Sequence, residues 1–308
     1  MGKACVFVLC ALVAYSPTLA RAQGYEGVGI RAQGMAGAFV AVADDATASW
    51  WNPAGLATSL SFADFIVEAG QGGHWGIALG FPSLGLSYYR LNIRQIQPPG
   101  STAPDSSNRQ DLGAVGTGLP VPDSIALDQV GATIGQSIGS HLVVGSTLKL
   151  THARSETRGG LDVGAMAAFG PIRVGLTVRD VTAGTFGSGP GAFELARRAR
   201  AGVAVIAPPR GRLDRLTLAF DADLTRAPID GRDERHIAGG GEAWMLGRRI
   251  GVRGGVGTAI TELANEGGLF GAFGVSVSPF EKVYLNGAIT RGADSATNRW
   301  GIDLRVTF

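Results

Sequence analysis

From Ser61 to Phe308 the chain alternates apolar and polar residues one by one, in short segments that recur over nearly the whole length. The clearest is the last. Trp300, Ile302, Leu304, Val306 and Phe308 form one set, and Arg299, Gly301, Asp303, Arg305 and Thr307 the other. Successive strand residues point to opposite faces, so a period of two reads as β-structure. Ile172 to Arg179 and Arg215 to Leu224 repeat the pattern. About fourteen segments fit a template of roughly nine to eleven residues per spanning strand. They start near Ser61, Gly73, Leu84, Ala126, His141, Gly160, Ile172, Arg198, Leu213, Glu234, Arg249, Gly268, Glu281 and Asn298.

The connections carry a second regularity. Every second one is a tight turn, as at Phe81-Pro82-Ser83, Ile138-Gly139-Ser140, Phe169-Gly170-Pro171, Leu246-Gly247-Arg248 and Ser278-Pro279-Phe280, with Ala207 to Arg212 somewhat longer. Those between are mostly longer and more polar: Thr182 to Arg197, Arg226 to Asp233, Arg291 to Thr297, and above all Ile93 to Asp123 with its five prolines. An even strand number, short turns on one side and longer loops on the other are the pattern of an antiparallel transmembrane β-barrel of the outer membrane. Both ends of the mature chain are then expected on the tight-turn, periplasmic side. A soluble sandwich has no reason to keep that parity.

Composition fits such a compartment. Residues 1–22 have a signal-peptide layout: Lys3, an apolar run from Ala4 to Tyr15 too short to span a bilayer, and Ala20-Arg21-Ala22 as a cleavage site. Both cysteines, Cys5 and Cys10, lie inside it, so the mature chain from Gln23 is expected to have no disulfide, thiol catalysis or thiolate metal site. Without Lys3 and Arg21 the 27 basic and 25 acidic residues become 25 of each, which shows no global bias toward nucleic acid. Outside the signal no apolar run approaches the roughly 18 residues of a membrane helix.

In a membrane barrel, charge on the lipid face costs about 2–4 kcal/mol at the midplane. Lys149, Arg173, Arg179, Arg215, Asp221, Asp223, Arg253, Asp303 and Arg305 are therefore expected to face the lumen. Their mixed signs favour internal ion pairs, or pairs with a plug, over an open ion-selective pore. Trp75, Tyr88, Tyr89, Trp244, Tyr284 and Trp300 are candidates for aromatic girdles at the membrane interfaces.

Residues 23–60 do not alternate. The stretch from Gly34 to Leu56 is rich in small residues and reads as short helical turns. Asp44 or Asp45 can cap a turn over Ala46 to Trp51, Asn52-Pro53 ends it, and Gly55 allows a tight reversal. Fourteen strands enclose more space than their own side chains fill. This segment is the candidate plug, with Gly34, Gly37, Asp44, Asp45, Asn52, Pro53 and Ala54 as its gating positions. Trp50 and Trp51 are expected to pack it against the wall.

These same residues carry a family resemblance. Gly34, Met35, Gly37, Ala38, Phe39, Ala41, Ala43, Asp44 and Asp45, followed by Asn52-Pro53-Ala54-Gly55-Leu56, resemble the N-terminal signature of the FadL-type outer-membrane transport family, and more closely its PorV-like and uncharacterised FadL-like members. The resemblance implies a fourteen-stranded barrel with an N-terminal hatch in the lumen. Phe308 is similar to the C-terminal aromatic that barrel-assembly machinery recognises. The chain departs from the fatty acid transporters in size, with one long external loop, so no ligand residues are carried over.

No enzyme is legible. His74, His141, His152 and His236 lack metal-ligand spacing or an obvious Ser/Asp pair, and Gly255 to Ala259 matches only part of a dinucleotide fingerprint, with Ile260 at the position that needs a small residue. The glycines are better explained by strand bends, turns and packing against the plug. No cofactor or metal is implied. The leading function is passive uptake of hydrophobic small molecules, fatty-acid-like or aromatic, with outer-membrane lipid around the wall. The alternative is a PorV-like structural barrel with secretion-system or surface-attachment partners. A lipid-hydrolase barrel is a weaker third reading, disfavoured by the missing catalytic set.

Overall fold

The computed structural model describes residues 27–59, 63–94, 124–182, 184–187, 193–229, 232–261, 268–292 and 298–308. The signal-peptide reading, the body of the Ile93–Asp123 loop, residues 60–62 and parts of four further loops lie outside them.

Fourteen strands form the wall. They are β1 (Asp64–Gly70), β2 (Trp75–Phe81), β3 (Leu84–Arg94), β4 (Ser124–Ile138), β5 (Leu142–Ala153), β6 (Glu156–Phe169), β7 (Ile172–Arg179), β10 (Arg198–Ala207), β11 (Leu213–Asp223), β13 (Arg232–Met245), β14 (Ile250–Thr261), β15 (Leu269–Phe280), β16 (Val283–Gly292) and β17 (Arg299–Thr307). Between them lie three short pieces, β8 (Thr185–Phe186), β9 (Phe193–Glu194) and β12 (Ala227–Ile229). Each wall strand pairs antiparallel with its neighbours, and β1 pairs with β17 from Asp64↔Thr307 to Gly70↔Gly301, so the sheet closes on itself. Beyond the ladder, the amide of Phe308 donates to the carbonyl of Ala63 at 2.9 Å. Closure leaves no edge, which is the condition for strands to cross hydrocarbon. Among the described residues no helix is long and apolar enough to do so.

The alternation sorts as expected for a membrane wall. Leu84, Leu86, Val130, Ile134, Leu148, Leu150, Phe220, Phe273 and Ile302 are exposed on the outside, while Thr133, Thr147, Thr217, Asp221, Glu242 and Ser276 are buried within. This inverts a soluble fold and identifies a barrel of the bacterial outer membrane.

Several boundaries differ from the sequence reading. The β1 ladder begins at Asp64 rather than near Ser61, and β6 at Glu156 rather than near Gly160. Two connections on the long-loop side are short: Gln71–Gly73 between β1 and β2, and Arg154-Ser155 between β5 and β6, where both residues take positive φ, 48° and 73°. A two-residue turn of that kind matches the strand twist without needing glycine, which is why composition did not flag it. The girdle also needs correction. Trp75 and Trp300 face outward, but Tyr89 and Trp244 are buried in the lumen, and Tyr284 packs edge-on against Trp244 there, with ring centres 5.7 Å apart. Adjacent residues such as Tyr88 and Tyr89 cannot share a face of one strand.

Residues 28–56 lie inside the barrel, nearly all buried. They make short helical turns, Ile30–Gly34, Ala48–Trp51, Pro53–Gly55 and Leu56–Ser59. Gly29 sits at the level of Glu68, near the long-connection end, whereas the carbonyl of Leu56 accepts from Ser83 in a tight turn at the other end, 3.2 Å away. The expected start of the mature chain on the tight-turn side falls on undescribed residues, and the first described ones are already deep in the lumen at the opposite end.

The wall receives this segment through inward-facing glycines. A Cβ at Gly145 would sit 2.4 Å from Pro53, one at Gly175 2.6 Å from the Val40 carbonyl, and ones at Gly240 and Gly255 about as close to Met35. Backbone therefore packs on backbone over much of the circumference, leaving no space for side chains. Gly175→Val should push the segment off β7. The expected outcome is an assembled, heat-modifiable barrel whose residues 27–59 become cleavable by added protease, and a segment as resistant as in the parent would contradict the close fit.

Candidate functional site: a hatch held in the lumen

Local sequence explains the shape of the hatch. Asp45 accepts from the amide of Thr47 at 3.0 Å and opens the turn that runs to Trp51. Asn52 is extended, ends that turn, and accepts from the amide of Ala54 at 3.2 Å, while Pro53 occupies the first position of the next turn. The Asn52 amide group donates to the carbonyls of Val40 at 2.9 Å and Ala165 at 3.2 Å, tying two hatch turns to β6. A Cβ at Gly55 would meet the Ala43 carbonyl, and Gly37 has φ 83°, so both reversals require glycine. A Cβ at Gly34 would press on Gly274 at 3.2 Å.

Buried charge links hatch and wall. The Arg31 guanidinium lies along the Glu242 carboxylate of β13, with two contacts of 2.7 Å. It also reaches Asp44, and Asp45 at 3.2 Å. Glu242 is shared with Arg253 of β14 at 2.6 Å, and Asp44 with Arg215 of β11 at 2.9 Å. Burial alone would raise the Asp44 carboxyl, but Arg31, Arg215 and Arg173 outweigh it and hold the group well below the usual carboxylate range. A depressed folded pKa contributes stability above the ordinary value, lost only as pH falls through the lower one, so this contact persists into acid.

Wall carboxylates also hold hatch amides directly. Asp221 accepts from Phe39 and Val40 at 2.7 and 2.8 Å, Asp64 from Ala46 at 2.8 Å, and Glu68 from Gly29 at 2.9 Å. Arg305 steadies Asp64 at 2.8 Å, and His74 contacts Glu68 at 2.8 Å. The hatch rings pack on the wall as well: Trp50 meets Tyr89 edge-on at 5.4 Å, and the Trp51 indole donates to the carbonyl of Val28 within the hatch.

The other charged candidates form two further clusters. Lys149 bridges Asp162 at 2.6 Å and Asp180 at 2.8 Å, with Arg179 beside them. Arg200 pairs with Asp223 at 2.6 Å. Asp303 accepts from Asn286, which lies beside Ser276 and Arg253. Arg173 is half-buried beside Asp44 and Arg215. Above the hatch, at the long-connection end, Phe186 and Phe193 stack at 5.0 Å and pack with Leu195, Ile125, Leu127 and Ala153 into a second apolar cluster.

Solved structures share this barrel fold. The CymD monoaromatic hydrocarbon channel is 12% identical, with 91% of this chain and 96% of that chain covered and a TM-score of 0.60. The Pseudomonas putida toluene transporter TodX is 12% identical, with coverage of 92% and 99% and a TM-score of 0.58. A FadL homologue of Pseudomonas aeruginosa is 10% identical, with coverage of 90% and 97% and a TM-score of 0.55. The chain has the fold of the FadL-type outer-membrane channels. No family model matches the sequence, and no curated protein does either.

Within this FadL-type barrel, sequence reasoning did not select Arg31, Asp64, Glu68, Asp162, Asp180, Arg198, Arg200 and Glu242. Glu242 has the same parity as Trp244, so assigning Trp244 to the lipid face hid the carboxylate. Glu68 shares a face with Ile66, which breaks the polar-in pattern. Arg31 lies before the signature stretch and has no periodic neighbour. Among the described residues no group of His, Cys, Asp and Glu is placed to hold a metal ion.

Removing one member of a buried ion pair leaves an uncompensated charge and costs about 3–5 kcal/mol. Arg31→Met leaves Glu242 with Arg253 alone and Asp44 with Arg215 alone, so each buried carboxylate loses part of its compensation and the cost falls at or below that range. The barrel should still assemble, because its ladder is untouched, while the hatch should lose protease resistance and the melting temperature should fall. A hatch unchanged by this substitution would show that the backbone seam alone holds it.

Proposed function

We propose that the protein is a passive outer-membrane channel for the uptake of small hydrophobic molecules past its N-terminal hatch. The observation that carries this reading is the way the lumen is filled. Residues 28–56 join the wall through side-chain hydrogen bonds, ion pairs and van der Waals seams, and not through ladder pairing. Such an element blocks free aqueous diffusion, yet it can shift without opening the barrel. The fold likeness to a monoaromatic hydrocarbon channel and a toluene transporter supports the substrate class. Gly34, Gly37, Asp44, Asp45, Asn52, Pro53 and Ala54 are the residues proposed to set the gate.

A solute that passes the apolar cluster at the long-connection mouth needs an exit, and the wall offers support for one. The β6–β7 ladder runs only from Val163↔Val178 to Phe169↔Ile172, so among the described residues the first half of β6 has no ladder partner on that side. One bond continues it, from the amide of Val181 to the carbonyl of Leu161 at 2.9 Å. On the outer surface Val130, Leu148 and Leu150, with Gly159 and Gly160, line a groove that reaches Lys149. An apolar molecule can leave sideways here at lower cost than through an intact ladder, where backbone groups in hydrocarbon would lose their partners. Nothing in the fold likeness points to the alternative role of secretion-assembly partner.

Deletion of residues 34–56 tests the reading. A foldable barrel with raised single-channel conductance in planar bilayers, and with selective uptake of a hydrophobic probe such as toluene lost, is the expected result. Unchanged conductance would remove the hatch from the transport path.

A further inference from the structure

Between the hatch and the long-connection mouth, three arginines crowd one side of the lumen. In the β7–β10 ladder Arg179 stands directly opposite Arg198, and Arg200 follows two residues on, on the same inward face. All three are buried. Like charges directly opposite in a sheet are destabilising, more so away from water. Acids beside them include Asp223 of β11, held by Arg200 at 2.6 Å and by the amide of His236 at 3.0 Å, and Asp162, which lies 3.9 Å from Arg179 and is shared with Lys149 and Asp180. Arg179, Arg198, Arg200 and Asp223, together with Thr177, enclose a small chamber whose floor is Val40 and Trp51 of the hatch.

The arginines cover aromatic surface. The Arg179 guanidinium lies 3.7 Å from the centre of the Trp50 ring, and that of Arg200 5.7 Å from the centre of the Trp51 ring. These ring faces are the flat apolar surfaces of the hatch that an incoming planar solute would use. In the arrangement described the chamber has room for about one water molecule, so a solute must move a long, flexible guanidinium aside. A neutral hydrocarbon would displace a cation from a π-face and return nothing to it. A carboxylate returns a bidentate partner, the arrangement for which the planar guanidinium is shaped. An aromatic acid can therefore take the ring face with its body and the displaced arginine with its head.

We propose that this chamber is a binding site for small aromatic carboxylates, seated by Arg179, Arg198 and Arg200 over Trp50 and Trp51. The inference deepens the channel reading and rests on it for the route by which such a molecule arrives. It assigns this barrel a preference for acids over neutral hydrocarbons of the same shape. An inorganic anion would pair with the arginines but leave the tryptophan faces uncovered.

The test uses the full-length protein in detergent, with benzoate, the neutral isostere benzamide, and inorganic phosphate as probes, followed by calorimetry and tryptophan fluorescence. Benzoate should quench the tryptophan emission and bind at least about tenfold more tightly than either other probe, the scale of one charge-assisted contact. Arg198→Gln should reduce that preference to about twofold or less, since it removes one such contact. The variant should keep its heat-modifiable barrel, because it also relieves the pair with Arg179. Arg179→Gln serves if Arg198→Gln fails to assemble. Equal affinity for benzoate and benzamide, phosphate binding as tight as benzoate, or a preference that survives both substitutions would overturn the proposal. Uptake into proteoliposomes separates the two readings: a benzoate preference without uptake leaves the chamber and removes the channel, whereas uptake of benzamide with no benzoate preference does the reverse.

Discussion

The Arg31–Glu242 pair is the contact on which the interior depends. A closed wall of fourteen strands solves the backbone problem of crossing hydrocarbon, but it creates another, a lumen wider than its own side chains can fill. The chain fills that space with a segment that cannot join the ladder. Arg31 donates to Glu242 on the wall and to Asp44 and Asp45 on the hatch itself, so one cation both folds the plug and fastens it. Arg253 and Arg215 extend the network to two more strands. Each of these charges would be costly alone, and the network exists because every member has a partner.

The glycines are the second half of the same arrangement. A polar lumen ordinarily holds water and long side chains. Here β5, β6, β7, β13 and β14 present bare backbone at the level of the hatch, and hatch backbone lies directly on it. Close approach shortens the distances over which Asp221 and Asp64 accept from hatch amides, so the missing side chains are what let the carboxylates work. The wall meets the plug along close backbone contacts, whereas beside Gly159 and Gly160 the β7 ladder falls short of β6.

Much of the wall was legible in the sequence, because a period of two and a parity of turns are geometric consequences of a barrel that any sequence for it must express. Of the charged positions chosen by alternation, Lys149, Arg179, Asp221, Asp223, Arg253 and Asp303 are buried, and Arg173, Arg215 and Arg305 are half-buried. Less was legible of the site, and for physical reasons. An inward-facing aromatic such as Trp244 looks the same in sequence as an interfacial one, and reading it outward concealed Glu242. The tight Arg154-Ser155 turn carries no glycine or proline. The partnership of Arg31 with a residue 211 positions away has no local trace, since long-range ion pairs leave no periodicity. The Asn52-Pro53 stop was visible because its effect is local: proline fixes its own φ, and asparagine bonds its neighbour.

The central claim is that a segment outside every ladder is held as firmly as the wall around it. Hydrogen–deuterium exchange on the intact barrel in detergent measures this most directly, because the amides of Phe39, Val40 and Ala46 are bonded only to wall carboxylates at Asp221 and Asp64. The account predicts that residues 28–56 exchange as slowly as the strand amides of β5 and β13 at neutral pH. Exchange within seconds across the segment, with the strands still protected, would contradict it.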